Sequence, residues 1–318
     1  MTGRKIFVVS LHRTMTRSTD ILLSSLGYST LHFPKFFGGE NLMDAVRGLE
    51  NEPERVVDRL TALIESRDAL SDVPIPGLYR TLAERWPGSR FILIKRDPLD
   101  WERSVRGHMK ERVLSPFNLI QYRPYLDRDV RQLRQVPAGG LASIHERHTR
   151  EVVQFFEIER GEPDRLCIAD IRDGDAGERI CAFLGHDPVP LPRLSGRPSA
   201  GDLEASRRWV AACPAKSDAR YFLATNLLET GQIDEAKEHL RAAIEHEPDQ
   251  PKPYAVLSEL LVQEDHGTAA EMALQAIRYG LKRPRLFYRA ARGQARRGQW
   301  RDALSLWANG IAQRLHRR

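Results

Sequence analysis

Residues 6–19 read Ile-Phe-Val-Val-Ser-Leu-His-Arg-Thr-Met-Thr-Arg-Ser-Thr, and this stretch predicts how the first half of the chain folds. The apolar run from Ile6 to Val9 has the length of a buried strand. Helical spacing of apolar residues follows it and ends at Gly27, a typical helix stop. The segment between them therefore joins a strand to a helix start, where backbone N–H groups without intrahelical partners favour an anion.

The side chains of this loop strengthen the prediction of an anion site. They comprise two cations and four hydroxyls: Arg13, Arg17, Thr14, Thr16, Ser18 and Thr19. A Walker A loop needs two glycines and a lysine before its Ser or Thr. Ser10 and Met15 stand at the glycine positions and no lysine follows, which argues against a nucleotide-dependent kinase.

Two more apolar runs of strand length lie further along the chain, at Phe91–Ile94 and Leu166–Ile168. Helical patterns over Arg55–Ile64 and Leu78–Trp86 come between the first run and the second. Continuous apolar runs are typical of strands that a parallel sheet buries on both faces. Residues 1–200 are therefore predicted to form an α/β domain with three layers.

Two further motifs carry polar groups that suit chemistry. Arg96 follows the Phe91–Ile94 strand, and Ser104 comes eight residues later, about one turn into a predicted helix. A forked guanidinium and a hydroxyl at this spacing can contact one phosphate. Asp72, in Asp-Val-Pro, comes after a predicted helix over Arg55–Leu70 and offers a carboxylate.

Residues 201–318 have helical patterns only, after an extended connection rich in proline and glycine at 185–201. Small and large residues recur every 33 or 34 positions: Ala236, Ala270 and Ala303, then Leu240, Leu274 and Trp307. This pattern resembles the tetratricopeptide repeat, in which small residues allow close helix packing. We predict three repeats, over residues 217–250, 251–283 and 284–318.

Residues 4–195 together resemble the sulfotransferases that use 3′-phosphoadenosine 5′-phosphosulfate (PAPS). Arg13-Thr14-Met15-Thr16 is similar to the family's 5′-phosphosulfate loop, in which a glycine stands at the position of Met15. Arg96 and Ser104 resemble the family's 3′-phosphate pair in type and spacing. Asp72-Val73-Pro74 lies where cytosolic members have His-x-Pro, whose histidine is the base.

The resemblance implies a P-loop-like fold and transfer of a sulfuryl group from PAPS to an acceptor hydroxyl or amine. Arg13 would stabilise the leaving phosphate and Asp72 would be the general base. No metal is expected. The residues implied to bind PAPS are Arg13, Thr14, Met15, Thr16, Arg17, Ser18, Arg96, Ser104, Arg193 and Arg197. The altered loop keeps an alternative open, a catalytically inactive nucleotide-fold protein whose repeats bind a partner; a kinase is less favoured.

The distribution of charge along the chain limits the classes of partner that the protein is expected to bind. The net charge is +6, but residues 284–318 hold nine basic side chains and one acidic side chain. Because this charge lies at one end, it indicates either an acidic partner or a solvated terminal cap, and no nucleic-acid-binding face. The acceptor is expected to be a small molecule or carrier-borne. Three roles stay open for the repeats: binding of a protein, a peptide or a carrier-borne substrate, dimerisation, or shielding of the catalytic domain. No apolar stretch is long enough for a membrane span, and the N-terminus lacks a signal-peptide core, so a cytoplasmic location is expected.

The cysteines and one pair of histidines are expected to lie outside any reactive or metal-binding site. The three cysteines, Cys167, Cys181 and Cys213, are odd in number and scattered, so each is expected to be a small buried residue. His145 and His148 are three residues apart on a predicted helix, and a solvated helix face is expected there.

Overall fold

The structure is a computed structural model that describes residues 5–191 and 203–315. It divides into two compact units, which are described separately. The first comprises Met1–Lys35 and Leu42–Leu194, and the second comprises Phe36–Asn41 and Ser195–Arg318. The predicted domain boundary after residue 200 and the candidate residues Arg193 and Arg197 lie outside the described residues.

The strands and helices are numbered along the described chain. The strands are β1 (Ile6–Val8), β2 (Thr30–His32), β3 (Phe36–Phe37), β4 (Glu40–Asn41), β5 (Ala69–Ser71), β6 (Arg90–Lys95) and β7 (Leu166–Asp170). The helices of the first unit are α1 (Thr16–Ser25), α2 (Leu42–Ala45), α3 (Pro53–Ser66), α4 (Tyr79–Arg85), α5 (Pro98–Met109), α6 (Pro116–Tyr122), α7 (Gly140–Gln154) and α8 (Ala176–Leu184). Those of the second are α9 (Leu203–Ala212), α10 (Ser217–Glu229), α11 (Ile233–His246), α12 (Pro251–Leu260), α13 (His266–Arg278), α14 (Pro284–Arg296) and α15 (Trp300–Leu315).

A parallel sheet forms the centre of the first unit. Its strand order among the described residues is β2-β5-β1-β6-β7, with β1 between β5 and β6. β1 is buried at every position, and so are the four central residues of β6, because helices cover both faces. One apolar cluster joins Leu22 and Leu23 of α1 and Ile180 of α8 to the sheet. The predicted three-layer α/β architecture is confirmed.

Two short strands of the central sheet, β2 and β5, were not predicted from the sequence. The helix predicted to continue to Leu70 ends at Ser66, and β5 begins at Ala69. Three residues are too few to show a period, so only pairing with β1 and β2 identifies β5 as a strand. Asp72 therefore follows the carboxyl end of a strand. The parallel neighbour β2 ends at His32, which is paired in register with Ser71.

The second unit is a series of helices. α10 and α11 lie within 217–250, α12 and α13 within 251–283, and α14 and α15 within 284–318. The unit also holds the two-stranded hairpin β3–β4, which the sequence analysis did not foresee. Phe36 of the hairpin is buried in a cluster with Tyr254 and Leu281. The backbone of Glu40 lies so close to Gly280 that a Cβ there would meet it at 2.9 Å, so this position requires glycine.

Candidate active site

The first part of the loop between β1 and α1 is held by hydrogen bonds from β6 and α5. The Ser10 Oγ accepts a hydrogen bond from the Ile94 N–H of β6 at 2.6 Å. The Trp101 indole of α5 donates to the His12 carbonyl at 2.8 Å. Burial lowers the pKa of His12 to about 3, and its Nε2 lies 2.5 Å from the Tyr122 hydroxyl. The loop is therefore a fixed part of the domain, with its backbone shape set by neighbouring elements.

Met15 occupies a left-handed backbone position immediately before α1, with φ 55° and ψ 23°. The sulfotransferase loop that this segment resembles has glycine there, and glycine adopts such angles without strain. The structure keeps the turn although a side chain is present, at a cost of about 1 kcal/mol or more. Arg13 also has a positive φ, 69°, so two non-glycine residues of the loop adopt backbone angles that favour glycine.

Three of the predicted site residues converge from three separate elements. The Arg13 Nε donates a hydrogen bond to the Ser104 Oγ of α5 at 3.2 Å. The Arg96 Nη1, just after β6, donates to the Arg13 carbonyl at 3.0 Å. Two guanidinium groups and a hydroxyl thus lie together beside the N-terminus of α1, which is an arrangement suited to phosphate.

The hydroxyl side chains of this segment lie partly in the loop and partly in the first turn of α1. The Thr14 hydroxyl donates to the Leu11 carbonyl within the loop, so it stabilises the turn. Thr16 and Ser18 lie in the first turn of α1 and are 4% and 2% exposed. Arg17, in the same turn, contributes a positive potential that acts on Asp72. The first helical turn therefore faces the carboxylate as well as the loop.

Asp72 is the carboxylate of this site. It has φ 69° and follows β5, and its side chain is 16% exposed. Its Oδ1 accepts a hydrogen bond from the Val73 N–H at 2.7 Å. Burial raises the pKa of Asp72 to about 6, against the opposing effects of the Val73 N–H, Arg17 and Arg13. A carboxylate with a pKa near neutrality is suited to take a proton in catalysis.

His32 is a residue of this site that the sequence did not connect with Asp72. Its Nε2 lies 3.1 Å from the Asp72 Oδ2, and its Nδ1 lies 3.0 Å from the Ser71 hydroxyl. The three side chains form a short hydrogen-bonded chain at the carboxyl ends of β2 and β5. The only signal for it is strand adjacency, because 40 positions separate His32 from Asp72 in the sequence.

A cavity of about 510 Å³ opens beside Arg96. Basic side chains at the ends of β6 and β7 and on α7 line it, together with apolar carbon from α7: Lys95, Arg96, Arg150, Arg172 and Val153. A volume in this range is ordinary for a small-molecule site. Glu146 and Glu157 also line the cavity, so four cations face two carboxylates and the lining has a net positive charge.

The expectation for His145 and His148 was wrong. They are 4% and 2% exposed, because α7 packs against the loop and α5. Burial lowers the pKa of each to about 4. The neutral His148 donates from Nε2 to the Val9 carbonyl at 2.8 Å, and the His145 ring lies 5.0 Å from that of Trp101. His148 therefore binds the chain just after β1, and His145 packs on the Trp101 ring that donates to the loop.

The cysteine prediction is confirmed, since Cys167, Cys181 and Cys213 are all buried thiols. Burial raises the pKa of Cys167 to about 11, which leaves it protonated at neutral pH. Among the described residues, no group of three or more His, Cys, Asp or Glu side chains is placed to hold a metal ion. No helix within those residues is long and apolar enough to cross a membrane.

Comparison with known proteins decides the family. A family model described as a sulfotransferase domain matches residues 5–197, which is more than half of the chain. The chain belongs to the sulfotransferase family. The sulfotransferase domain thus contains the loop, Asp72, Arg96 and Ser104, as the motif resemblance predicted. A tetratricopeptide-repeat model matches residues 203–260 and 227–286, so the domain is followed by repeats of the predicted class.

No curated protein matches this sulfotransferase significantly. Among solved structures, one described as the crystal structure of MamA is 15% identical and covers 36% of this chain and 68% of its own, with a TM-score of 0.32. Another, described as MamA MSR-1 C2, is 14% identical and covers 59% of this chain and 100% of its own, with a TM-score of 0.31.

Proposed function

We propose that this sulfotransferase moves a sulfuryl group from PAPS to an acceptor hydroxyl or amine. The observation that carries the proposal is the convergence of Arg13, Arg96 and Ser104 at the start of α1, on the same edge of the sheet as Asp72. Such a transfer requires groups that bind phosphate and a base that takes a proton. Arg13, Arg96 and Ser104 suit the first role, and the carboxylate of raised pKa suits the second.

The donor PAPS carries negative charge on its 5′-phosphosulfate and on its 3′-phosphate. We propose a separate group of residues for each. The 5′-phosphosulfate is proposed to bind the backbone N–H groups from Thr14 to Thr16, with Met15, Arg17 and Ser18 completing the loop. The 3′-phosphate is proposed to bind Arg96 and Ser104. The cavity of about 510 Å³ beside Arg96 has room for the nucleoside. Arg193 and Arg197 remain candidates for a further contact.

In the proposed reaction, the acceptor oxygen or nitrogen forms a bond to sulfur while the bond from sulfur to the bridging oxygen breaks. The electron pair stays on that oxygen, which leaves as part of adenosine 3′,5′-bisphosphate. Arg13 neutralises the negative charge that develops there. The acceptor proton goes to Asp72.

His32 is proposed to hold the base in place. An N–H at its Nε2 would donate to the Asp72 Oδ2, while the Val73 N–H donates to Oδ1. With both oxygens held, the carboxylate has one orientation toward the edge of the sheet. Fixing a catalytic group in this way lowers the entropy cost of reaching the reacting geometry.

Thermal unfolding of the purified protein with adenosine 3′,5′-bisphosphate tests the donor site. A ligand that binds only the folded state stabilises it by about 2.7 kcal/mol at a hundredfold excess over its dissociation constant. We expect a rise in melting temperature that AMP, and ATP with magnesium, do not match. A rise with ATP and magnesium alone would favour a kinase. No rise with any nucleotide would favour a binding protein that acts through its repeats.

Arg96→Ala is expected to weaken binding of adenosine 3′,5′-bisphosphate by about tenfold or more, and binding of AMP much less. The reason is that a guanidinium on a phosphate is a charge-assisted contact, which AMP lacks at its 3′ position. Isothermal titration calorimetry measures both affinities. Arg103→Ala is the matched control, because Arg103 is exposed on α5 and pairs with Asp100 one turn away. Equal losses for the two nucleotides would remove Arg96 from the 3′-phosphate site.

A further inference from the structure

The helix α15 exposes a row of large apolar side chains. Trp300, Leu304, Trp307 and Ile311 are four, three and four residues apart, so they lie along one helix face. Their exposed fractions are 65%, 65%, 54% and 37%. We name these four residues the terminal row. A solvated terminal cap ordinarily has a polar outer face, and two tryptophans in a continuous apolar row do not fit that description.

The same positions in the first repeat are covered by the repeat that follows. In the predicted register, Trp307 corresponds to Leu240 of α11, which is fully buried in a cluster with Leu257 of α12. Ile311 corresponds to Ile244, which is partly buried against the same cluster. The terminal row therefore has the register of a surface on which another helix pair packs.

The position of Leu304 points the same way. It corresponds to Lys237 in the first repeat and to Glu271 in the second. The Lys237 Nζ pairs with the Glu264 carboxylate of the following repeat at 2.5 Å, and Glu271 pairs with Arg297 of the repeat after it. At this register position the chain twice makes a contact between successive repeats. Leu304 has an apolar side chain where Lys237 and Glu271 have charged ones, and it is exposed.

We propose that the terminal row is the docking surface for an acidic amphipathic helix pair of a partner protein, which packs on α15 as a following repeat would. Continuity with the repeat–repeat interfaces indicates the shape of the partner. The charge of residues 284–318, nine basic side chains and one acidic side chain, indicates its sign. Arg301 and Arg314 lie three residues from Leu304 and Ile311, so both guanidiniums flank the row.

The same charge argues against a second copy of this chain as the occupant. A symmetric contact through α15 would bring two strongly basic segments together, and like charges across an interface are repulsive. The spacing of the row favours a helix over a lipid surface, because its register is that of helix-to-helix contacts within this unit. A membrane and a second copy are accordingly outcomes that the test must be able to show.

A labelled synthetic peptide of residues 217–247 is a suitable probe. It contains the helix pair α10–α11 and carries seven acidic and three basic side chains. In the folded chain α9 covers this face of α10, with the Phe222 and Trp209 rings stacked at 5.4 Å. The peptide therefore imitates the helix pair of a partner protein, and a second copy of the chain does not offer the same face. Fluorescence anisotropy with the full chain measures its affinity, at low and at physiological salt.

We expect the peptide to bind, and to bind about tenfold or more weakly to the double variant Leu304→Ser/Trp307→Ser, since aromatic anchors dominate such interfaces. Arg301→Glu is expected to weaken binding and to reduce its salt dependence. Ile233→Ser is the matched control, because Ile233 is 48% exposed at the register position of Trp300 on α11. Circular dichroism checks that each variant is folded. If the double variant unfolds, Trp300→Ser replaces it in the binding experiment.

Three results would overturn the proposal. The first is no binding at about 0.1 mM peptide, and the second is equal binding to the double variant and the parent chain. The third is another occupant of the terminal row. This would show as self-association of the parent chain in sedimentation, or as its binding to vesicles of phosphatidylcholine and phosphatidylglycerol, with either effect lost in the double variant. None of these measurements uses sulfuryl transfer, so the outcome is independent of the proposed function.

Discussion

Asp72→Asn is expected to lower turnover by about 10²–10⁴-fold while the affinity for adenosine 3′,5′-bisphosphate stays unchanged. The amide has nearly the shape of the carboxylate and can accept the Val73 N–H, but it cannot take a proton from the acceptor. Release of adenosine 3′,5′-bisphosphate from PAPS, with an acceptor found by screening, measures turnover. Calorimetry measures binding of the product nucleotide.

The pH dependence gives a second readout for the same residue. Asp72 must be ionised to act as a base, and burial raises its pKa to about 6. The value of kcat/KM for the parent enzyme should therefore fall about tenfold per pH unit below pH 6 and level off above it. Asp68→Asn is the matched control, because Asp68 precedes β5 and binds Ser29. Unchanged turnover in Asp72→Asn would exclude Asp72 as the base.

Arg13→Ala is expected to lower kcat by about 10²–10³-fold, the usual loss when one stabilising donor for developing charge is removed. The guanidinium lies within 3.2 Å of Ser104, beside the first turn of α1, where the bridging oxygen is proposed to leave. The effect should fall mainly on kcat, because the charge that Arg13 neutralises exists fully only after the bond to sulfur breaks. Steady-state kinetics with saturating acceptor measures it.

Arg103→Ala again serves as the control, since it removes an exposed guanidinium one residue from Ser104 without touching the loop. Arg13→Lys separates charge from geometry: it keeps a cation but loses the donor to Ser104 and is expected to recover part of the rate. An Arg13→Ala enzyme with full kcat and a raised KM would assign Arg13 to donor binding alone.

The loop was predictable from the sequence because its signals are local. An apolar run, two cations and several hydroxyls precede a helical period within 14 residues, and the structure places them between β1 and α1. Arg96 and Ser104 were predictable for the same reason, since a strand end and the second turn of α5 set their spacing. The left-handed angle of Met15 could be anticipated only from the resemblance to a glycine position, because methionine itself disfavours it.

The partner of the carboxylate was decided by tertiary structure. His32 meets Asp72 because β2 and β5 are parallel neighbours in the sheet, and a three-residue strand carries no periodic signal. The same holds for His145 and His148. Their polar helix suggested solvent, and only the packing of α7 under the loop buries them.

The sequence by itself determined the family, the class of fold, the repeats and the place of the loop between β1 and α1, because each leaves a local or periodic pattern in the chain. Tertiary structure decided which groups meet across the sheet, and it decided what α15 leaves uncovered. Trp307 keeps the register of a buried leucine and is itself apolar, so the sequence pattern predicts a covered helix face where the structure has an exposed one. Burial depends on what packs against a residue, and that is a property of the folded chain.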